Sequence, residues 1–453
     1  MIKPTSITQK IEHISSVPSL FSFLLHPQMN NSTITTTTTT TTAIKRHKIH
    51  HDHDHDHDHD HDDHQSLIPG LPDHIAQICL NLVNPFTLFS TCHSWRKLIY
   101  SPSFPPFLSI YALLLPPKSS TVETKHSAYF SNSVEFACFD PVSSKWQQLP
   151  PPPPDPPLRF LVKHPSFIAR NLPIQSVSVS GNLILLAATG DQFSPAISRP
   201  LIFNPRARKW SYGPRLAAPR RWCAAGALGN SVYVASGVGS HYNPEVARSV
   251  VKWDLDESNR NGAHGPHYCY CNHTCTRGIK SGWKWEEMSG LKDGKFSREA
   301  IDAIGWKGKL CMVNVKGDAA KEGIIYNVRN DTWQEMPEGM LMGWRGPAVA
   351  MAEETIYMVD ESKGALRRYD EERDVWVEIV ENEMLKGAEH VAAGGGRVCV
   401  VGGGGGIAVV DVVAEPPRLV VVETPVGFQV LNIHILPRMS QLADFESTEQ
   451  GDY

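Results

Sequence analysis

The chain has 453 residues, 41% hydrophobic and 20% charged, with 43 Lys and Arg against 47 Asp and Glu for a formal charge of −4. It contains no apolar run long enough to cross a membrane as a helix, and no basic excess to neutralise phosphates, which excludes a helical membrane protein and a general nucleic-acid binder. Its nine cysteines, an odd number thinly spread, argue for reduced thiols in the cytoplasm or nucleus and against a secreted disulfide framework.

Residues 1–65 differ in texture from everything after them. An apolar patch (Leu20 to Leu25) is followed by a threonine tract from Thr35 to Thr42, a basic cluster (Lys45, Arg46, Lys48) and a strict His-Asp alternation. Nine of the 21 histidines fall between His47 and His64, whereas none of the 11 tryptophans precedes Trp95. Repeats of this kind supply no spread of apolar side chains to bury, so the segment is expected to be a disordered low-complexity tail. Imidazole and carboxylate are both competent metal ligands, but a flexible repeat fixes no coordination geometry, and no metal site is assigned to it. No small-residue cleavage site follows the apolar patch, so it does not read as a signal peptide, and Met29 is a second candidate start.

From Ser66 the pattern becomes helical. Pro72-Asp73 is a helix start, with the aspartate near the positive end of the helix dipole. Ile75, Ile78, Cys79 and Leu82 recur at helical spacing on one apolar face, and Asn84-Pro85 stops the helix. A second helical stretch carries Leu88, Phe89, Cys92, Trp95, Leu98 and Ile99 and ends by Ser101-Pro102. Two or three short amphipathic helices cannot bury all their apolar faces alone, so such a module is expected to complete its core with a partner. The Leu71-Pro72 pair, Leu80, the run Cys92-His93-Ser94-Trp95-Arg96 with Leu98, and the closing Ser101-Pro102-Ser103-Phe104 resemble an F-box over about 66–110. The stretch Asn84 to Thr91 between its helices is shorter than is usual in that family. The resemblance implies docking onto a Skp-type adaptor through Leu71, Pro72, Ile75, Leu80 and Trp95.

The remainder is organised by a repeat. Phe139-Asp140 to Trp146, Phe203-Asn204 to Trp210, Tyr326-Asn327 to Trp333 and Tyr369-Asp370 to Trp376 share one pattern: aromatic, Asp or Asn, five residues, Trp. In a fifth copy, Trp253-Asp254, an insertion (256–282) displaces the closing tryptophan to Trp285. Each copy reads as a hairpin in which the aromatic ends a strand, the Asx side chain starts the turn and Trp begins the next strand. Between these turns lie short alternating strands opened by Gly181-Asn182, Gly229-Asn230, Gly308-Lys309, Glu353-Glu354 and Gly395-Gly396. Four short antiparallel strands per repeat of this length resemble kelch repeats, with the family's double glycine clean at Gly402-Gly403 and partial at Gly190, Gly237 and Gly317.

The expected fold is therefore mainly β: a six-bladed kelch-type propeller over 111–437, preceded by the tail and the helical module and followed by a flexible C-terminus over 438–453. Phe428 to Ile435 alternates like a spare strand that closes the ring through blade one, and most tryptophans read as blade packing. The proline run Pro150 to Pro157 reads as a stiff loop between blades one and two. In the insertion, His264, His267, Cys269, Cys271, His273 and Cys275 include zinc-competent groups, but Cys-x-Cys-x3-Cys is not a standard finger spacing, and no metal is assigned.

No nucleophile triad, phosphate-cradling loop, dinucleotide fingerprint or ordered copper-oxidase constellation is present, so neither enzymatic activity nor a cofactor is expected. Arg221 lies nine residues before Asn230, Arg345 lies nine before Glu354, and Arg298 falls within two residues of the same register. With Trp222 and Trp344 beside them, these arginines are the candidate substrate-binding residues, suited to an acidic peptide by bidentate hydrogen bonds. In kelch substrate receptors the corresponding position faces the peptide-binding end of the ring.

A tail, an F-box and a kelch propeller in this order resemble plant-type F-box/kelch-repeat proteins. The resemblance implies a non-catalytic substrate receptor of a Skp-cullin-F-box ubiquitin ligase in the cytoplasm or nucleus. Its partners would be the adaptor, through it the cullin and RING subunits, and a target protein, with no nucleic acid and no membrane. The alternative is a kelch interaction scaffold working outside ubiquitin ligases.

Overall fold

The computed structural model describes residues 66–440 except 117–129, 132–133, 154–158, 162–174, 187, 190–195, 256–282, 295, 297–299, 317–318 and 404–405. The expectations about the N-terminal tail, the Cys/His insertion, Arg298, Gly190, Gly317 and the chain beyond 440 lie outside these residues. The chain forms two compact bodies, a helical module ending at Phe104 and a β body from Pro105 onward.

Three short helices build the module: α1 (Asp73–Leu80), α2 (Pro85–Thr91) and α3 (His93–Tyr100). Asn84 does more than stop α1. Its Oδ1 accepts the Phe86 N–H at 2.9 Å while Pro85 occupies the first turn, so it also caps α2. The second helical stretch is not continuous, because Cys92 is extended at φ −155° and splits it into α2 and α3.

The β body is a six-bladed propeller of four-stranded antiparallel sheets. From the innermost strand outward, blade one comprises Gln429–Pro437, Leu108–Leu115, Glu135–Asp140 and Lys145–Gln148. Blades two to six begin on Ser176–Val179, Ala224–Leu228, Ala300–Trp306, Ala348–Met351 and His390–Gly394. These six innermost strands touch one another in sequence around the ring. The spare strand does close it: Gln429–Pro437 pairs antiparallel with Leu108–Leu115, Ile435 opposite Ile110 and Ile433 opposite Ala112.

Two boundaries need correction. The first propeller strand begins at Leu108, inside the segment assigned to the module, because Ile110 to Leu114 are needed as its buried second strand. The C-terminal tail does not begin at 438. Arg438 N–H donates to Phe107 O at 2.8 Å, Met439 is buried, and Ser440 N–H reaches Pro205 O at 3.2 Å.

Each blade is buried on both faces, so its middle strands read as continuous apolar runs. In Ser231–Ala235, Val232 and Val234 pack with Ile184 and Ile202 of blade two, while Tyr233 and Ala235 pack with Leu310 and Met312 of blade four. Blades approach most closely where side chains are absent. A Cβ on Gly305 would lie 2.1 Å from Ala227 O of the neighbouring blade. Gly305→Val is therefore expected to cost about 1–3 kcal/mol by forcing blades three and four apart. A thermal melt checks it, and an unchanged midpoint would contradict this packing.

The hairpin repeat folds through local chemistry. Asp140, Asn204, Asn327 and Asp370 each accept a backbone N–H two or three residues on, at 2.9, 2.9, 3.0 and 3.1 Å. Four residues after each, Ser144, Arg208, Asp331 and Asp374 turn through positive φ (59°, 50°, 51° and 52°) and bring Trp back opposite the aromatic. Ring centroids of the four pairs are 5.3, 5.0, 4.9 and 5.4 Å apart.

The indole N–H groups then tie each blade to the one before it. Trp146, Trp210, Trp333 and Trp376 donate to Glu423, Pro150, Ser289 and Met340 carbonyls at 2.8, 2.7, 2.8 and 2.9 Å. Trp285 does the same to Pro214 O at 3.1 Å, so the tryptophan displaced by the insertion still performs the repeat's role. Of the proline run, Pro150 to Pro153 are described, and the Pro150 and Pro153 carbonyls serve as acceptors for blade two.

Candidate functional site

Two surfaces emerge, one on each body. On the module, Ala76 and Leu80 of α1 point inward with Leu88, Leu98, Ile99 and Phe104. The other side of α1 is bare. Leu71, Ile75, Ile78 and Leu82 follow one another at helical spacing with 38%, 38%, 62% and 71% of their surface exposed, and Val83 continues the stripe. The apolar face read from the sequence is thus turned outward, an arrangement typical of a partner surface.

The five positions matched to the F-box do not share one environment. Leu71, Pro72 and Ile75 are exposed along that stripe. Leu80 is buried in the module's own core, and Trp95 is half-buried with its indole N–H donated to Leu67 O at 2.7 Å. Leu80 and Trp95 therefore hold the module together. Ile78, Leu82 and Val83 carry exposed apolar area that the motif match left out, although their spacing displayed it.

On the propeller, the two ends of the ring differ. One end carries the short turns from first to second strand and the Asx–Trp hairpins. Here polar groups satisfy one another across blades. Glu353 Oε1 accepts Gly229 N–H at 2.6 Å, Glu353 O accepts Lys307 N–H at 2.7 Å, and Ser180 Oγ donates to Asn230 Oδ1 at 2.8 Å. Lys307 pairs with Glu371 at 2.7 Å.

The opposite end carries the loops that enter each innermost strand and those joining second to third strands. Arg221 and Arg345 stand there, each three residues before its innermost strand (Ala224–Leu228 and Ala348–Met351), as their shared register implied. Their surroundings differ. Arg345 is exposed, with no carboxylate partner among the described residues, and its neighbour Trp344 is 1% exposed in the packing between blades four and five. Trp344, a candidate for substrate contact, is therefore a core residue, edge-on to Trp376 at 5.8 Å.

Arg221 sits in a built corner. Its backbone exchanges two hydrogen bonds with Val238, at 3.0 and 2.8 Å, and its guanidinium lies 4.5 Å from the centre of the Trp222 ring. Trp222 itself is held at φ 55°, in the left-handed region that bulky side chains rarely adopt. Gly237 makes the corner possible, since a Cβ there would lie 2.9 Å from Arg221 O. The preceding Arg220 is 3% exposed and consumed by structure, donating to Ala218 O, Ser236 O, Val246 O and Ser249 Oγ at 3.1, 3.1, 3.3 and 2.5 Å. Val246 lies in α4 (Pro244–Arg248) and Ser249 follows it, so Arg220 clamps that helix to the loop. Around this end Tyr242, Met342 and Met384 also expose large apolar area, at 43%, 65% and 47%.

Among the described residues no group of three or more His, Cys, Asp or Glu is placed to hold a metal ion. The four buried thiols, Cys138, Cys223, Cys311 and Cys399, are all raised by burial, to about 12, 11, 12 and 12, and do not form thiolates at neutral pH.

No family model matches the chain. Individual proteins do. The chain is 52% identical over 385 residues to the F-box/kelch-repeat protein SKIP25 of Arabidopsis thaliana, covering 84% of this chain and 91% of that protein. It is 24% identical over 306 residues to the F-box protein AFR of the same plant, covering 66% and 69%. An identity of this level across nearly the whole of a protein with the same two-part architecture decides the assignment. The chain belongs to the F-box/kelch-repeat proteins.

Proposed function

We propose that this protein is the substrate-recognition subunit of a Skp-cullin-F-box ubiquitin ligase, working in the cytoplasm or nucleus. The α1 stripe docks on the Skp-type adaptor, and the loop end of the propeller holds the target. The observation that carries this reading is the row of outward apolar side chains along α1 and its two ends, Leu71, Ile75, Ile78 and Leu82, on a module whose own core is made by other residues. The satisfied turn end, and Arg221 and Arg345 without a carboxylate partner among the described residues, favour the loops as the target platform. The chain performs no covalent step in this scheme. It holds an acceptor lysine near the charged conjugating enzyme, and proximity supplies its share of the rate.

Pull-down of the full chain with a Skp-type adaptor tests the first half. Ile75→Asp with Ile78→Asp is expected to weaken adaptor binding by at least about a hundredfold, because two buried apolar anchors become desolvated charges. Both side chains are exposed in the free protein, so the variant keeps its fold and its melting midpoint. Adaptor binding that survives the double substitution returns the chain to the reading of a kelch scaffold outside ubiquitin ligases.

A further inference from the structure

We propose that Arg221 and Trp222 form a preformed subsite for one carboxylate side chain of a target protein, between blades two and three. The inference rests on the loop end being the target platform and names the chemistry read there.

Three observations converge on this corner. Among the described residues the buried Arg221 Nε has no hydrogen-bond partner, and no carboxylate pairs with its guanidinium. Burial also lowers its proton affinity, the penalty of a charged group without a counter-ion. A buried donor left open costs free energy, and such groups persist where a ligand completes them. Second, Trp222 adopts φ 55°. Backbone strain at a bulky residue is retained where the surroundings impose it, and here the Val238 bridge and the Gly237 approach do so. Its consequence is to lay the indole against the guanidinium. The planar cation is thereby held in one orientation and ordering it on binding is largely avoided. Third, Arg220 acts as a positioning residue, fixing the loop from beneath through its Nε and Nη1 donors.

The charge balance selects the ligand. One free guanidinium matches a singly charged carboxylate through a bidentate pair. A phosphoryl dianion calls for a second cation, yet among the described residues Arg220 is 3% exposed with Nε and Nη1 turned into the loop, and Arg345 enters the ring two blades away. Arg345 lacks the Trp support and the buried nitrogen, so the shared register of the two arginines does not make them equivalent.

The test pans the full chain and its Arg221→Gln variant against a phage-displayed dodecapeptide library, then measures synthetic copies of enriched peptides by fluorescence anisotropy. The parent is expected to enrich peptides with Asp or Glu at one fixed position. Changing that residue to its amide should weaken binding about tenfold in the parent and hardly at all in Arg221→Gln. Trp222→Gly is expected to lose a similar factor, with a melting midpoint no lower than expected for loss of one half-buried ring, since glycine accepts the φ of 55°. Absence of a fixed acid, an unchanged affinity in Arg221→Gln, or a phosphoserine peptide binding more than tenfold tighter than its acidic counterpart would each overturn the carboxylate subsite. Peptides insensitive to Arg221→Gln but lost in Arg345→Glu would remove the subsite and leave the loop-end platform standing. Peptides indifferent to both would remove the platform as well.

Discussion

A chain ending at Thr424 is expected to lose the cooperative melt of the propeller altogether. The deletion removes Gln429–Pro437, the innermost strand of blade one, and with it the buried side chains Val430, Leu431, Ile433, Leu436 and Met439. At about 1.5–3 kcal/mol per buried side chain, the lost burial is about 7–15 kcal/mol. That range equals the whole stability of an ordinary folded domain, about 5–15 kcal/mol. The deletion also bares one edge of Leu108–Leu115, whose backbone groups facing the lost strand then have no partner while those facing Glu135–Asp140 keep theirs. Tyr111 loses the Pro437 carbonyl that its hydroxyl meets at 2.7 Å. Thermal denaturation and limited proteolysis read the outcome. A synthetic peptide of residues 425–440, added in trans, is expected to restore the melt by re-forming the strand pairing. A truncated chain that still melts cooperatively within a few degrees of the parent would show that blade one closes without its last strand.

The strand responsible for this was legible because alternation is a local pattern, and so were the hairpins. Asp140, Asn204, Asn327 and Asp370 bond to N–H groups two or three residues away, so spacing alone reveals them. What the tryptophans do between blades was not legible, since each indole meets a carbonyl in the preceding blade, as Trp146 does at Glu423. The same limit applies to Asp374, which accepts the Tyr369 hydroxyl from its own hairpin and the N–H groups of Gly339 and Met340, where α5 (Glu338–Gly343) begins. Periodicity located the stripe Ile75, Ile78, Leu82 along α1 and just past its end, but not which way it faces. Motif matching, in turn, included Leu80, whose opposite orientation only packing decides. At the loop end the common register of Arg221 and Arg345 was readable. The difference between them is set by φ at Trp222 and by the burial of Trp344, and no residue spacing encodes either.

The second large effect expected is a loss of propeller stability as pH falls from about 6.5 towards 4, carried by two histidines where blades six, one and two meet. His434, on the closing strand, places Nε2 2.9 Å from Ser176 Oγ and Nδ1 2.8 Å from Ser178 Oγ of blade two. His390, on the innermost strand of blade six, lies with its ring 6.3 Å from that of His434. Burial pushes His390 down to about 4 and His434 down to about 3, and proximity to His390 adds to the shift of His434. Both are therefore neutral in the folded ring, whereas the unfolded chain titrates each near 6.5. Above that pH neither state holds the protons and stability is complete. Below it the unfolded chain binds two protons that the ring refuses, so stability falls by about 1.4 kcal/mol per pH unit for each imidazole until the folded values are reached. The carboxylates act lower. Asp331 is held down by the Tyr326 hydroxyl, and Asp374 by the Tyr369 hydroxyl and two backbone N–H groups against the opposing effect of burial. Their contribution is present above the unfolded aspartate value of about 3.9 and is lost only beneath it. Glu353, raised by burial, works in the opposite sense and adds stability as it protonates, so the fall from pH 6 to 5 is carried by the histidines. His434→Gln keeps an amide able to reach the two serines but cannot titrate, so its melting midpoint is expected to fall about half as steeply over that interval as the parent's. If the two midpoints fall in parallel, the acid sensitivity lies elsewhere than in the seam that the last strand closes.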